Sequence, residues 1–204
     1  MKFYENELYQ KGYKHIAGLD EVGRGCWAGP LVVAICAFHP NYENKKINDS
    51  KKLNEKTREE LFQIIINNAI LVDWVVYEPT FVDKHNPKKV SIIGMEYLLT
   101  KHKNIIDYAL LDAEKINSQI IPFTSIIKGD TKSQSIAAAS IIAKVIRDRI
   151  MNNLDKQYPQ FYFKYNKGYG TQKHLEALEK FGALEKIHRF SYKPIQKLKK
   201  LKDK

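Results

Sequence analysis

Four acidic positions carry the chemistry that this sequence can best support. Asp20 and Glu21 are adjacent in Gly18-Leu19-Asp20-Glu21-Val22-Gly23-Arg24-Gly25, Asp112 closes Leu110-Leu111-Asp112, and Asp130 follows Lys128-Gly129. Oxygen ligands at strand ends can hold two Mg²⁺ ions about 3.5–4 Å apart. Phosphodiester hydrolysis uses such a pair, one ion to activate water and one to stabilise the leaving oxygen. Each acid has a plainer reading by itself. Asp20 and Glu21 can be solvated residues opening a turn, and an ideal strand would point them to opposite faces unless the glycines break the pleat. Asp130 stands where a helix N-cap is favoured. The combination is harder to dismiss, because a pure binder of polyanions has no use for clustered acids.

Basic, aromatic and glycine residues supply what would hold a substrate. Gly23-Arg24-Gly25 can bring backbone N–H groups close to a phosphate or sugar, since no Cβ obstructs the approach. Lys51 and Lys52 in Asp49-Ser50-Lys51-Lys52-Leu53 are candidates for phosphate contact, with solvated lysines flanking a helix as the alternative. Lys164-Tyr165-Asn166-Lys167-Gly168-Tyr169-Gly170-Thr171 mixes aromatics, lysines and glycines, which suits stacking beside a backbone. The alternative is an ordinary loop with a core tyrosine. His174 and His188 are candidates of lower specificity, isolated histidines being more often packing residues. Gly129-Asp130-Thr131-Lys132-Ser133 lacks the spacing of a nucleotide phosphate loop, which argues against an ATP site.

The elements that must position these groups are legible in outline. Residues 13–19 and 31–38 read as buried strands, and 70–77, 107–112 and 120–126 as three more, the last at a sheet edge because of Pro122. Thr57 and Glu60 form a capping box for a helix to about Asn67. Further helices are expected from about Val90 to His102, from Ser133 to Leu154, and from Thr171 to Phe181 with Gly182 as the stop. Small residues from Ala137 to Ser140, and Ala143 a turn later, let the third of these helices approach its neighbours closely. Strands followed by alternating helix and strand imply an α/β domain with a mixed sheet.

Composition bounds the setting. The 204 residues suffice for one well-cored domain. Lys and Arg number 34 against 23 acids, a net charge of +11, which favours a polyanionic partner through counterion release. A generally lysine-rich composition is the alternative source of that charge. The longest apolar run, Leu31 to Phe38, is too short to span a bilayer, and the N-terminus has no apolar core for secretion. Two unpaired cysteines, Cys26 and Cys36, fit a reduced cytoplasmic protein.

From about Ile16 to Pro194 the sequence resembles the ribonuclease HII family. Asp20-Glu21-x-Gly23-Arg24-Gly25 followed by Ala28-Gly29-Pro30 is similar to the family's N-terminal signature. Asp49 to Leu53, the helix block Ile136 to Asp148, Lys167-Gly168-Tyr169-Gly170-Thr171 and His188-Arg189-x-Ser191 resemble later blocks in the same order. The resemblance implies a ribonuclease H-like α/β fold, a mixed five-stranded sheet flanked by helices, with a C-terminal helical extension. It implies an endonuclease that hydrolyses the RNA strand of RNA–DNA hybrids and incises at single ribonucleotides in duplex DNA, leaving 5′-phosphate and 3′-hydroxyl ends. Asp20, Glu21, Asp112 and Asp130 would bind two ions, Mg²⁺ or Mn²⁺. Gly23, Arg24 and Gly25 would read the ribose 2′-hydroxyl and adjacent phosphate, with Tyr169 at the RNA–DNA junction.

Two departures stand out. Ala113 follows Asp112 where the family usually has Gly, and Ser91-Ile92-Ile93-Gly94-Met95 matches only loosely. The sister family, ribonuclease HIII, carries a long N-terminal extension, whereas 19 residues precede Asp20 here. The expected organisation is one catalytic domain over 1–192 and a mobile basic tail over 193–204, which holds six lysines. A cytoplasmic monomer is expected. The competing reading is a catalytically silent nucleic-acid-binding protein on the same scaffold.

Overall fold

The computed structural model describes residues 1–117 and 119–202, and the side chains of these except for 199–202. Helix α1 (Phe3–Gln10) precedes strands β1 (Ile16–Val22) and β2 (Leu31–Phe38). Helix α2 (Glu55–Asn68), strand β3 (Ala69–Tyr77) and helices α3 (Pro79–His85) and α4 (Pro87–His102) follow. Then come β4 (Tyr108–Asp112), β5 (Phe123–Ile126), the long helix α5 (Gln134–Gln157), and the C-terminal helices α6 (Phe163–Asn166), α7 (Gln172–Phe181) and α8 (Lys193–Lys202). The strands form one mixed five-stranded sheet in the order β3-β2-β1-β4-β5, a ribonuclease H-like α/β fold. β4 is parallel to both β1 and β5.

The apolar pattern explains this order. Every residue of β2 is buried, which requires cover on both faces and therefore an interior strand. β5 follows Pro122 and lies at an edge, where a missing ladder donor is tolerated. Gly18 in β1 has a single physical reason: a Cβ there would lie 2.1 Å from backbone atoms of Ser135 and Ile136. The start of α5 thus rests directly on β1, and its small residues Ala137, Ala138 and Ala139 are fully buried.

The chain divides into two compact units. The first comprises Met1–Val22, Val33–Val75 and Ser91–Val145, the second Gly23–Val32, Val76–Val90 and Ile146–Lys204. One cluster in the first unit gathers Leu8, Ile16, Leu110, Ile126 and Ile136. The second has its own core of Met151, Phe161, Phe163, Leu178, Ile187 and Ile195, with Trp27 and Tyr192 against it. Asp83 of α3 ties this second unit together, accepting hydrogen bonds from the backbone N–H groups of Phe190 and Ser191 at 2.7 and 3.1 Å.

Several expectations need correction. β1 begins at Ile16 and continues through Val22, so Asp20 and Glu21 lie within the strand with no break before them. Helix α2 is capped by Asn54, whose side chain accepts from the Thr57 N–H, and not by a Thr57–Glu60 box. Ser133 is the capping side chain of α5, its hydroxyl accepting from the Ile136 N–H at 3.2 Å. Helices α1, α3 and α6 were not anticipated. The lysine-rich segment expected as a tail is helical over Lys193–Lys202, anchored by buried Ile195. Residues 203–204 lie outside the described residues.

Candidate active site

The parallel register of β1 and β4 pairs Gly18 with Leu110 and Leu19 with Leu111, so Asp20 and Asp112 follow at the same end of neighbouring strands. After β5 the chain turns through Lys128, which adopts a left-handed conformation (φ 56°), into a single 3-10 turn over Gly129–Thr131. That turn returns Gly129 and Asp130 to the strand ends. The Gly129 N–H donates to Asp112 Oδ1 at 2.7 Å, and Ala113, with φ 52°, redirects the chain just past β4. The capping alternative for Asp130 is not what the structure shows. Its carboxylate accepts instead from the Lys51 ammonium, at 3.1 Å.

The electrostatics tie these acids into one set. Asp20 is buried, and its carboxyl is pushed well above the usual carboxylate range by burial, then by the charges of Glu21 and Asp112. A hydrogen bond from Ser140 and one from the Glu21 N–H at 2.7 Å oppose that rise. Asp112 is likewise raised, by burial foremost and by Asp130 and Glu114, while the Gly129 N–H and Lys51 pull it down. For Lys51, partial burial disfavours the charged form, but the hydrogen bond to Asp130 and the fields of Asp130, Asp20 and Asp49 outweigh it and raise its pKa. Asp20, Glu21, Asp112, Asp130 and Lys51 are therefore brought together within the first unit.

Carboxylates whose proton affinity is raised by burial and by neighbouring acids, as at Asp20 and Asp112, form a site whose energy falls when a cation enters. All the donors are hard oxygens, which suits Mg²⁺ or Mn²⁺ rather than a soft metal. Among the described residues no three His, Cys, Asp or Glu side chains stand at the spacing of an already closed metal centre. The chemistry of the donors, all carboxylate oxygens with Asp20 and Asp112 raised by burial and neighbouring acids, is compatible with a hard divalent cation.

Sequence reasoning missed two members of this neighbourhood. Ser140, read only as a small residue, bonds Asp20 and lies 2.9 Å from the Ser50 hydroxyl. Asp49 caps the short turn that presents Lys51, accepting from the Lys51 N–H at 2.9 Å. The motif Asp49-Ser50-Lys51 was the available signal.

Gly23, Arg24, Gly25 and Tyr169 belong to the second unit, where two buried arginines fix the backbone. Arg147 donates to the carbonyls of Pro30, Lys167 and Ala28 at 2.9, 2.7 and 3.1 Å. Arg189 donates to the carbonyls of Gly29 and Arg24, the latter at 3.1 Å, and the Tyr192 hydroxyl also donates to the Arg24 carbonyl. Both guanidiniums are fully buried and satisfied largely by main-chain oxygen, the arrangement a buried charge needs. The Gly168 carbonyl accepts from the N–H groups of Trp27 and Ala28 at 2.8 and 3.2 Å. Gly168 is required here, because its φ is +80° and a Cβ would meet the Ala28 carbonyl at 2.3 Å. Residues 24–30 and 167–169 are consequently one welded surface, with the Tyr169 side chain half-exposed upon it. His174 and His188 are not isolated: their Nε2 atoms lie 3.1 Å apart in the core of this unit.

Comparison with known proteins identifies the family and the fold. The family described as ribonuclease HII matches residues 17–195. The chain is 48% identical over 187 residues to the ribonuclease HII of Mycoplasma capricolum subsp. capricolum, covering 91% of this chain and 90% of that one. It is 47% identical over 197 residues to the Acholeplasma laidlawii protein of the same name, covering 97% and 96%. The fold superposes on the ribonuclease H2 of Pyrococcus horikoshii OT3 with a TM-score of 0.78 at 24% identity, covering 93% and 99%. It also superposes on Bst-RNase HIII, solved in complex with Mn²⁺, with a TM-score of 0.73 at 18% identity, covering 92% of this chain and 70% of that one. The chain belongs to the ribonuclease HII family, metal-dependent endoribonucleases that cleave RNA in RNA–DNA hybrids and at ribonucleotides embedded in DNA.

Proposed function

We propose that Asp20, Glu21, Asp112 and Asp130 hold two divalent ions, Mg²⁺ or Mn²⁺, for incision of the ribonucleotide-containing strand. The observation that supports this is geometric: Asp20 and Asp112 stand at the same end of neighbouring parallel strands and the Gly129–Asp130 turn bonds Asp112, while burial and nearby acids raise Asp20 and Asp112, a cost that bound cations would relieve. When bound, the ions would supply a Lewis-acid centre that activates water and stabilises the departing oxygen.

The chain's own residues do the orienting. Ser140 and the Glu21 N–H hold the Asp20 carboxylate, and the Gly129 N–H holds one oxygen of Asp112. Lys51 steadies Asp130 and offers an exposed cation to a substrate phosphate. Gly23, Arg24 and Gly25 bind the ribose 2′-hydroxyl and the adjacent phosphate, and Tyr169 packs on the ribose at the junction. Water attacks phosphorus in line with the 3′-oxygen, leaving a 3′-hydroxyl and a 5′-phosphate. Residues 1–192 act as one catalytic domain, in a monomer working in the cytoplasm. No helix among the described residues is long and apolar enough to cross a membrane.

The test is incubation with end-labelled duplex DNA carrying one ribonucleotide, with and without Mg²⁺, followed by mapping of the ends. Metal-dependent nicking on the 5′ side of the ribonucleotide, with the stated ends, supports the assignment. Binding without nicking would turn it towards a silent binding protein.

A further inference from the structure

His174 and His188 are fully buried in the second unit, with the uncharged rings of Trp27, Phe161 and Phe163 packed around them. Their hydrogen bonds admit one assignment of protons. The Leu184 N–H donates to His188 Nδ1 at 2.9 Å, so that nitrogen is the acceptor and the neutral ring carries its proton on Nε2. His188 Nε2–H then donates across 3.1 Å to His174 Nε2. His174 must therefore carry its own proton on Nδ1, which lies 2.9 Å from the Tyr169 carbonyl oxygen. All three contacts are satisfied at once, in a single direction from Leu184 to Tyr169. A proton added to His174 would set N–H against N–H between the rings, and one added to His188 would set its Nδ1–H against the Leu184 N–H. Burial first, and for His188 the neighbouring His174 as well, hold both imidazoles below their ordinary pKa, that of His188 at about 3.

Tyr169 needs such a hold because it stands between two glycines. Gly168 is pinned by Trp27 and Ala28, whereas the Tyr169 carbonyl is fixed by the Thr171 N–H, at 2.9 Å, and by His174. We infer that His188 and His174 are positioning residues that pass an oriented chain of hydrogen bonds to the Tyr169 carbonyl and so set the direction in which its ring meets the ribose. This rests on the reading of Tyr169 as a substrate contact.

The experiment compares His174→Asn, His174→Phe and Tyr169→Ala in steady-state cleavage of duplex DNA containing one ribonucleotide. Asn keeps a donor near the position of Nδ1 but loses ring volume, while Phe keeps the volume and loses the donor. The expected result is a KM raised about five- to tenfold by His174→Phe, the loss of one net hydrogen bond, and about twofold or less by His174→Asn, with kcat little changed. Tyr169→Ala should be impaired as well. If His174→Phe performs as well as His174→Asn while Tyr169→Ala is impaired, the histidines serve packing alone and the inference is overturned, with the role of Tyr169 intact. An unimpaired Tyr169→Ala would remove the substrate contact itself, and the inference with it. Imidazole ¹⁵N NMR of the unmodified chain tests the geometry without a variant. It should show His188 protonated on Nε2 and His174 on Nδ1, and the reverse pattern would sink the proposal.

Discussion

The Lys51 ammonium lies 3.1 Å from Asp130 Oδ2 although the two residues are separated by 79 positions in the chain. The side chain of Lys51 is 78% exposed while that of Asp130 is 5% exposed. An exposed protein cation therefore covers one of the acids proposed as ligands, and it competes with any metal for that carboxylate. Removing it should have two effects of opposite sign. Lys51→Met is expected to tighten Mn²⁺ binding about two- to fivefold, because an exposed charge acts weakly through solvent. The same variant should raise KM for substrate through the lost phosphate contact. Calorimetric titration with Mn²⁺ and steady-state cleavage separate the two, and weaker Mn²⁺ binding would contradict the competition.

Asp112→Asn should lower turnover by at least about 10²-fold while leaving the fold intact. The substitution removes one of the charges that raise Asp20, so in metal-free buffer the melting temperature should hold or rise. Near-normal cleavage would take Asp112 out of the catalytic set.

Ala113 occupies left-handed backbone at φ 52°, a conformation that costs a residue with a Cβ about 1 kcal/mol. Glycine relieves that cost but gives the unfolded chain more freedom, so the two effects partly cancel. Ala113→Gly is expected to stabilise the protein by about 0.5 kcal/mol, read from urea unfolding. A loss of stability would mean that the Ala113 methyl group makes packing contacts worth more than the strain.

Gly18→Ala should be severely destabilising, by about 3 kcal/mol or more, because its methyl group would lie 2.1 Å from the backbone at the start of α5. Neither partner is a flexible side-chain tip. Thermal unfolding measures this directly, and a stable variant would require α5 to ride away from β1.

The buried histidines give stability a defined pH dependence. Their folded pKa values are lowered, so in acid the unfolded chain binds protons that the folded pair excludes. Their contribution is fully present above about pH 6.5 and is lost progressively below it, at about 1.4 kcal/mol per pH unit for each proton. For His188 the loss continues until its folded pKa of about 3 is reached. Unfolding free energies across this range should fall less steeply for His188→Asn than for the parent chain. Equal slopes would show that the pair does not stay neutral.

How much of this was legible beforehand depends on where the determining contact lies. The continuous apolar run of β2 gave its bounds correctly, Leu31–Phe38, because burial on both faces leaves a signature in the segment itself. Asp20, Glu21 and Asp112 were singled out from acid type at predicted strand ends and Asp130 from its place before a helix, but their approach to one another depends on the register of β1 with β4 and on the turn at Lys128. Helix α1 was missed because FYENELYQ has no strong apolar stripe, and its position is fixed remotely: Glu5 accepts from the Ser133 hydroxyl and the Ser135 N–H. Ser140 was read as a packing residue, since its contact with Asp20 exists only once α5 lies on β1. His174 and His188 looked unrelated at a spacing of 14 residues, and only the fold of the second unit makes them partners.

Arg147 and Arg189 grip carbonyl oxygens, an atom that every amino acid contributes alike. The path of the chain at Arg24, Ala28, Gly29, Pro30 and Lys167 is consequently held through atoms that do not depend on side-chain identity, while Gly168 still admits no Cβ. Arg24 illustrates the benefit, since its main-chain oxygen is gripped by Arg189 and Tyr192 whatever its side chain may be. Arg24→Ala is expected to keep this main-chain grip while losing the side chain proposed to contact the phosphate.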